Sequence, residues 1–337
     1  QPEYFRQLSH WNLDMKYWSS LWQERIFYWN QNTPFNWLLQ AESQKDSLFL
    51  KQLYLERAAQ LTDAPDLVAD ILTQRAEILF LLNDMNQGDQ LLNEAQPYLS
   101  LSELPTFARL IYLVMYRKIQ KGLYKEAKEH SKTLLNFRSA NAIVFIYQMK
   151  GRLLLGTAAY YLLDWKTAHK EFQQVHQLAQ GKDYKGLFLE SMLWSTFLDS
   201  LEGNSVQLPM DLFAQIKALE PLQQIPLWYN LASLYLLGEK INVLEAQETL
   251  DILKSMCDKV GCVYYHVLAD NLEARLYRYH HLLNKAKKYH ERVNQQLNAS
   301  SVEFYQAHLN YGLTLWANDE RQEAKTLFLQ VSEGVKL

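Results

Sequence analysis

Within Gly151–Gln180, GRLLLGTAAYYLLDWKTAHKEFQQVHQLAQ, apolar residues recur at helical spacing on both sides of a polar break at Asp164-Trp165. The pattern predicts two amphipathic helices joined by a tight turn, with Leu155-Gly156 in the first and Ala168, Phe172 and Val175 in the second. The C-terminal stretch repeats the arrangement. Tyr311-Gly312 precedes a break at Asn318-Asp319, and Ala324, Phe328 and Val331 follow. In both stretches the two small residues stand twelve apart, and a phenylalanine comes four later. Small residues at both places let two antiparallel helices approach closely, and the ring fills the space beside them.

The twelve-residue spacing recurs with Ala76 and Gly88, continued by Leu92 and Ala95. It recurs at Met115 and Ala127, with Lys118 and Ser131 in places that call for large apolar residues, and at Ala274 and Ala286, ending in Val293. At Ala232 and Ala246 it is stretched by two residues, with Tyr235, Leu250 and Leu253 in the remaining places. Successive first-helix small positions are separated by 39, 41, 76, 42 and 38 residues. The long interval has room for one degenerate unit, placed at Leu187–Leu201 and Met210–Glu220. The expected fold is therefore all-α, with about seven helix pairs from residue 66 to the C-terminus.

This pattern resembles the tetratricopeptide repeat, whose signature pairs Leu-Gly in one helix with Ala-x-x-x-Phe in the next. The resemblance implies a right-handed α-α superhelix whose first helices line a concave, partner-binding face. A period near forty residues is similar to the signal-sensing superhelices of bacterial regulators, the maltose-regulon activators and the quorum-peptide receptors among them. That similarity implies a protein- or peptide-binding scaffold within a signalling or transcription regulator, or alternatively a small-molecule sensor domain.

Residues 1–65 read differently. Trp11, Trp18, Trp22 and Trp29 fall seven, four and seven apart, on one helical face. Pro34 ends or kinks that helix, a second long helix is expected over Phe35–Leu61, and Ala64-Pro65 breaks it. The expectation is an N-terminal helical cap over residues 1–65, with the tryptophan stripe either covering the end of the repeat core or anchoring a partner.

Composition narrows the function more than the fold. Among 337 residues, 11 Gly and 8 Pro fall below the roughly 12% usual in globular chains, in keeping with short connections. A formal charge of −3 gives no global basic field, so no direct nucleic-acid binding is expected. The longest apolar runs, such as Leu110–Met115, fall far short of the 18 or so residues of a membrane span. Two cysteines, Cys257 and Cys262, are too few for a disulfide scaffold, and a cytoplasmic location is expected. The chain begins at Gln1, so a leader or a further domain, DNA-binding for example, is an open expectation.

Phosphate-loop, dinucleotide-binding, nucleophile-elbow and metalloprotease motifs are all missing from the sequence. No enzymatic activity, cofactor or metal is expected. His280, His281 and His290 lie among Arg275, Arg278, Lys285, Lys287 and Lys288, which reads as a basic, solvated helix pair or a site for an anionic group. Counting along the first helices from the small positions, the inward-facing set is Arg109, Tyr112 and Tyr116, then Lys150 and Tyr160, then Tyr229, Asn271, Arg275 and Arg278, then Gln306 and Trp316. Tyrosine and arginine combine contact area with hydrogen bonding, which suits recognition of a protein or peptide partner.

Overall fold

The computed structural model describes residues 32–101, 103–180, 184–204, 208–237, 242–297, 299 and 301–334. The tryptophan stripe from Trp11 to Trp29 lies outside them. Among the described residues the chain forms sixteen α-helices and one short 3-10 stretch, with no strand. It divides into two compact units. The first runs to Tyr116 and takes in Glu126–Leu155; the second takes in Arg117–Lys125 and everything from Gly156 onward.

The first unit opens with α1 (Pro34–Ser43), α2 (Leu48–Ala59), α3 (Pro65–Leu81) and α4 (Met85–Ala95), each packed on the next. A 3-10 turn, Gln96–Leu101, leads to α5 (Leu104–Gln120), α6 (Tyr124–Leu135) and α7 (Ala142–Tyr161). Its core joins Ala108, Ile111 and Met115 of α5 to Leu134 of α6 and to Val144 and Tyr147 of α7. The expected single helix over Phe35–Leu61 is two. Gln44 turns extended, and Ser47 caps α2 by accepting from the Leu50 N–H at 3.3 Å. Pro34 starts α1, because its fixed φ and missing N–H suit a first turn, and the helix expected before it lies outside the described residues.

The second unit continues with α8 (Trp165–Ala179), α9 (Lys185–Leu201), α10 (Leu212–Lys217) and α11 (Pro221–Tyr235). It ends with α12 (Val243–Val260), α13 (Val263–Tyr279), α14 (Leu283–Gln296), α15 (Val302–Ala317) and α16 (Arg321–Gly334). Helices α9, α11, α13 and α15 pack one against the next and form a layer. Seated on that layer, α12 and α14 each touch the two layer helices that flank them in sequence, and α16 touches α15. The degenerate stretch expected at Met210–Glu220 is only six residues of helix, confined between Pro209 and Pro221.

The repeat spacing has a local cause. A left-handed residue ends the first helix of a pair at Asn83 (φ 65°), Gly122 (71°), Leu163 (59°), Gly203 (80°), His281 (56°) and Asp319 (62°). In each case the next N–H reaches back to a carbonyl five residues earlier, as in Asp84 to Leu79 at 2.8 Å, Asp164 to Ala159 at 2.9 Å and Glu320 to Leu315 at 2.9 Å. Asp84 and Asp164 then cap the second helix through their side chains. One small turn thus stops one helix and starts the next.

The helices of a pair meet closely where small residues were expected. A Cβ added at Gly156 would stand 2.5 Å from the Phe172 ring, and one at Gly312 would stand 2.5 Å from Phe328. In the first unit Gly88 meets Phe80 in the same way, at 2.2 Å. Here the ring comes from the first helix and the glycine sits on the second. No helix among the described residues is long and apolar enough to cross a membrane.

Candidate functional site

In the second unit, polar side chains from four stretches of chain gather around the first turn of α15. Ser301 caps this helix by accepting from the Phe304 N–H at 3.1 Å, and the cap sets Glu303 in the opening turn. The Oε1 atom of Glu303 accepts from the Tyr264 hydroxyl of α13 at 3.0 Å. Its Oε2 atom is shut off from solvent and has no hydrogen-bond partner. Burial raises the Glu303 carboxyl above the ordinary carboxylate range, outweighing the helix-start backbone N–H, the Tyr264 hydrogen bond, the neighbouring Ser301 hydroxyl and the charge of Arg117.

One helical turn on, Gln306 donates its Nε2 to the Tyr161 hydroxyl at 3.2 Å. Tyr161 ends α7 and stacks on Tyr124, with ring centroids 4.9 Å apart and planes 12° from parallel. Gly122, two residues before Tyr124, lies close enough to α15 that an added Cβ would touch Val302 at 3.6 Å. Tyr229 of α11 adds a third phenol, pushed up to about 12 by burial and by Glu303, with Arg275 and a Ser233 hydrogen bond opposing. Burial and the same carboxyl push Tyr161 and Tyr124 up as well. These shifts place Glu303 within electrostatic reach of three tyrosines, and the hydrogen bond adds a fourth, Tyr264.

Of the residues expected from sequence in this unit, Tyr229 and Gln306 belong to the cluster. Tyr160 abuts it through Tyr161 at 5.0 Å and continues an aromatic run to Trp194 and Phe197. Arg275 stands beyond Tyr229, donating Nη2 to the Leu236 carbonyl at 3.0 Å, while its buried Nε has no partner. Asn271, one turn earlier on α13, is buried with Oδ1 unpartnered. Arg278 donates to the Asn310 carbonyl at 2.9 Å and so braces α13 against α15. Trp316 is exposed at the far end of α15, beneath the Arg321 guanidinium.

The first unit holds the other four. Arg109 pairs with Asp70 at 2.6 Å and donates Nε to the Tyr147 hydroxyl at 2.8 Å. Asp70 is completed by Thr106 at 3.4 Å and Gln74 at 3.2 Å. Lys150 lies over the rings of Tyr112 and Tyr147, at 5.3 and 5.1 Å, and 3.9 Å from Glu77. Tyr116 packs apart from these, on Phe80 at 6.1 Å. Nearby, burial holds the Lys51 ammonium below the usual lysine range, against the pull of Glu77 and Glu42.

The histidine trio is dispersed. His280 and His281 sit in the turn after α13 rather than on its helical face, because His281 supplies the left-handed residue there. His290 is buried, with Nε2 3.1 Å from the Thr314 hydroxyl and its ring stacked on Tyr311. Burial, then Arg278 and Arg275, lower it to about 3. Elsewhere, the His169 Nε2 atom stands 3.4 Å from a Glu202 carboxylate oxygen, beside Asp199.

Sequence reasoning missed Glu303, Tyr161, Tyr124 and Tyr264. Glu303 was within reach of it: it precedes Gln306 by three, on the same face of the same helix. Tyr124 belongs to a second helix, where an outward position was the natural reading. The cluster gathers one carboxyl with phenols and a carboxamide. No protein-family model matches the chain, and no curated protein matches it.

Proposed function

We propose that the chain is a binding module. Its helix pairs wind as a right-handed α-α superhelix of about seven tetratricopeptide-like units, and the inner face of the second unit holds an extended peptide segment of a partner protein. The observation that carries this reading is the cluster around Glu303. A carboxyl, three or more phenols and a glutamine converge from the 117–125 stretch and from α7, α11, α13 and α15, with one buried oxygen left without a partner. Buried polar groups in a finished core are ordinarily satisfied. Tyrosine-rich surfaces with such groups are what short segments bind.

One observation favours a second reading, a small-molecule effector. The Glu303 oxygen and the phenols are closely surrounded, so the occupant must be narrow. On either reading the chain binds and transmits, and it performs no chemistry. A role inside a signalling or transcription regulator follows from the architectural resemblance alone. The test is binding of the full chain to an array of ten-residue peptides, beside a Tyr161→Ala/Gln306→Ala variant. Peptides held by the natural chain and released by the variant support the reading. Equal binding by both removes the inner face of the second unit as the site.

A further inference from the structure

We infer that the group recognised at the α15 cluster is a cation, an ammonium or guanidinium seated between the free oxygen of Glu303 and the faces of the surrounding tyrosines. This rests on the binding reading above and names the chemistry of that site.

Glu303 is incomplete in either protonation state. As a carboxylate it has one oxygen satisfied by Tyr264 and another, shut off from solvent, that accepts nothing. As a carboxylic acid it carries an O–H that needs an acceptor, and Oε2 has no hydrogen-bond partner of either kind. An enclosed charge without a counter-ion costs several kcal/mol. Among the described residues no lysine, arginine or histidine lies within ion-pair distance of it. The cation in its field, Arg117, bonds Gln120. A ligand that brings both N–H donors and positive charge satisfies the oxygen and the charge at once. A neutral donor satisfies only the first, and an anion makes matters worse.

The surroundings suit the same occupant. Tyr124 and Tyr161 are stacked, Tyr229 of α11 feels the same carboxyl, and phenol faces attract cations most where water is thin. The Gln306 carboxamide, already tied to Tyr161 through its nitrogen, has a carbonyl that can accept a further N–H. Beyond Tyr229, the partnerless Nε–H of Arg275 offers a place for a carbonyl or carboxylate oxygen of the same ligand. The site thus reads as acid first, donor second. That order fits a lysine or arginine side chain within a peptide, and equally a free amine carrying an oxygen acceptor.

The experiment uses the full chain and two arms. In the first, an array of ten-residue peptides is built in sets that differ only by lysine or arginine against glutamine at each position. In the second, putrescine, agmatine and free arginine are offered, and complexes are counted by native mass spectrometry. Each arm is repeated with Glu303→Gln, whose fold is checked by circular dichroism. The expected result is that cationic members bind on the order of 10- to 100-fold better than their glutamine or uncharged counterparts, and that Glu303→Gln erases the difference. The peptide-side substitution reads the preference even where the protein variant folds poorly. Whichever arm responds identifies the source of the cation. Binding with no preference for charge overturns the inference and leaves the binding reading standing. No binding in either arm overturns both.

Discussion

Asp70 in the first unit and Glu303 in the second are both enclosed acids on helices that begin a pair, and they have opposite surroundings. Asp70 receives Arg109, Thr106 and Gln74, with both oxygens engaged. Glu303 receives one phenol and keeps the other oxygen empty. The first arrangement is what a folded chain needs for itself, with the desolvation of a charge repaid by a counter-ion and hydrogen bonds. The second leaves a buried oxygen without a hydrogen-bond partner. Two regions built on the same helical grammar therefore differ: the inner polar residues around Asp70 fasten helices to one another, and those around Glu303 leave a buried oxygen for the cation proposed above.

The sharpest way to break that comparison is to remove Asp70. Asp70→Ala leaves the Arg109 guanidinium enclosed without its counter-ion, and a broken buried pair costs about 3–5 kcal/mol. Urea unfolding of the natural chain and the variant measures it. A double replacement, Asp70→Leu with Arg109→Met, should recover most of the loss, because the pair then disappears as a unit. A loss below about 1 kcal/mol for the single variant would place Asp70 with Glu303 rather than against it.

Next in size is a pH effect confined to the second unit. His290 is fully buried and lowered from 6.5 to about 3, so the folded state resists its protonation. Its contribution to stability is complete above the unfolded value of 6.5 and is lost as pH falls through that value toward 3. Between pH 7 and pH 4 the expected loss is on the order of 3 kcal/mol. His290→Asn should flatten the pH dependence of the unfolding midpoint by about that amount. An unchanged slope would mean that the ring is protonated without cost, and that α14 and α15 are looser than their packing indicates.

A smaller effect tests what the two units share. Gly156→Leu drives a side chain into the Phe172 ring and should cost about 1–3 kcal/mol. Gly88→Leu does the same against Phe80 in the first unit and should cost a similar amount. Unequal losses would show that the close contact serves different ends in the two places.

How far these features were legible in the sequence depends on how local their causes are. The helix pairs were readable because Gly156, Phe172, Gly312 and Phe328 mark a contact made within about twenty residues of chain. Five of the six turns fall seven residues beyond a first-helix small position, as Leu163 does after Gly156 and Asp319 after Gly312. The split at Gln44–Ser47 was missed because a serine cap inside an apolar run looks like any polar residue of an amphipathic helix. The Glu303 cluster was half-legible. Tyr229 and Gln306 follow from counting along first helices, whereas the contact of Gln306 with Tyr161 spans 145 residues. No periodicity carries that distance. Arg109 and Lys150 show the converse: the same counting chose them, and they are already engaged, by Asp70 and Tyr147 and by tyrosine faces and Glu77 respectively.

The smallest expected effect has the opposite sign and separates the two acids most cleanly. Glu303→Gln should leave the second unit as stable as before or stabilise it by about 1 kcal/mol at pH 7, because an amide keeps the Tyr264 hydrogen bond and sheds an unpaired buried charge. The raised carboxyl fixes the pH dependence as well. Its folded value lies above its unfolded one, so its stabilising contribution is present below about 4.5 and drains away as pH rises through the folded value. The gain from glutamine should therefore vanish near pH 4 and grow toward neutrality, in urea melts run at both. Asp70→Asn, measured identically at pH 7, should lose stability, because Arg109 then stands without its counter-ion. A fall in stability for Glu303→Gln at pH 7 would mean that the carboxylate is paired after all, and the contrast between the two units would collapse.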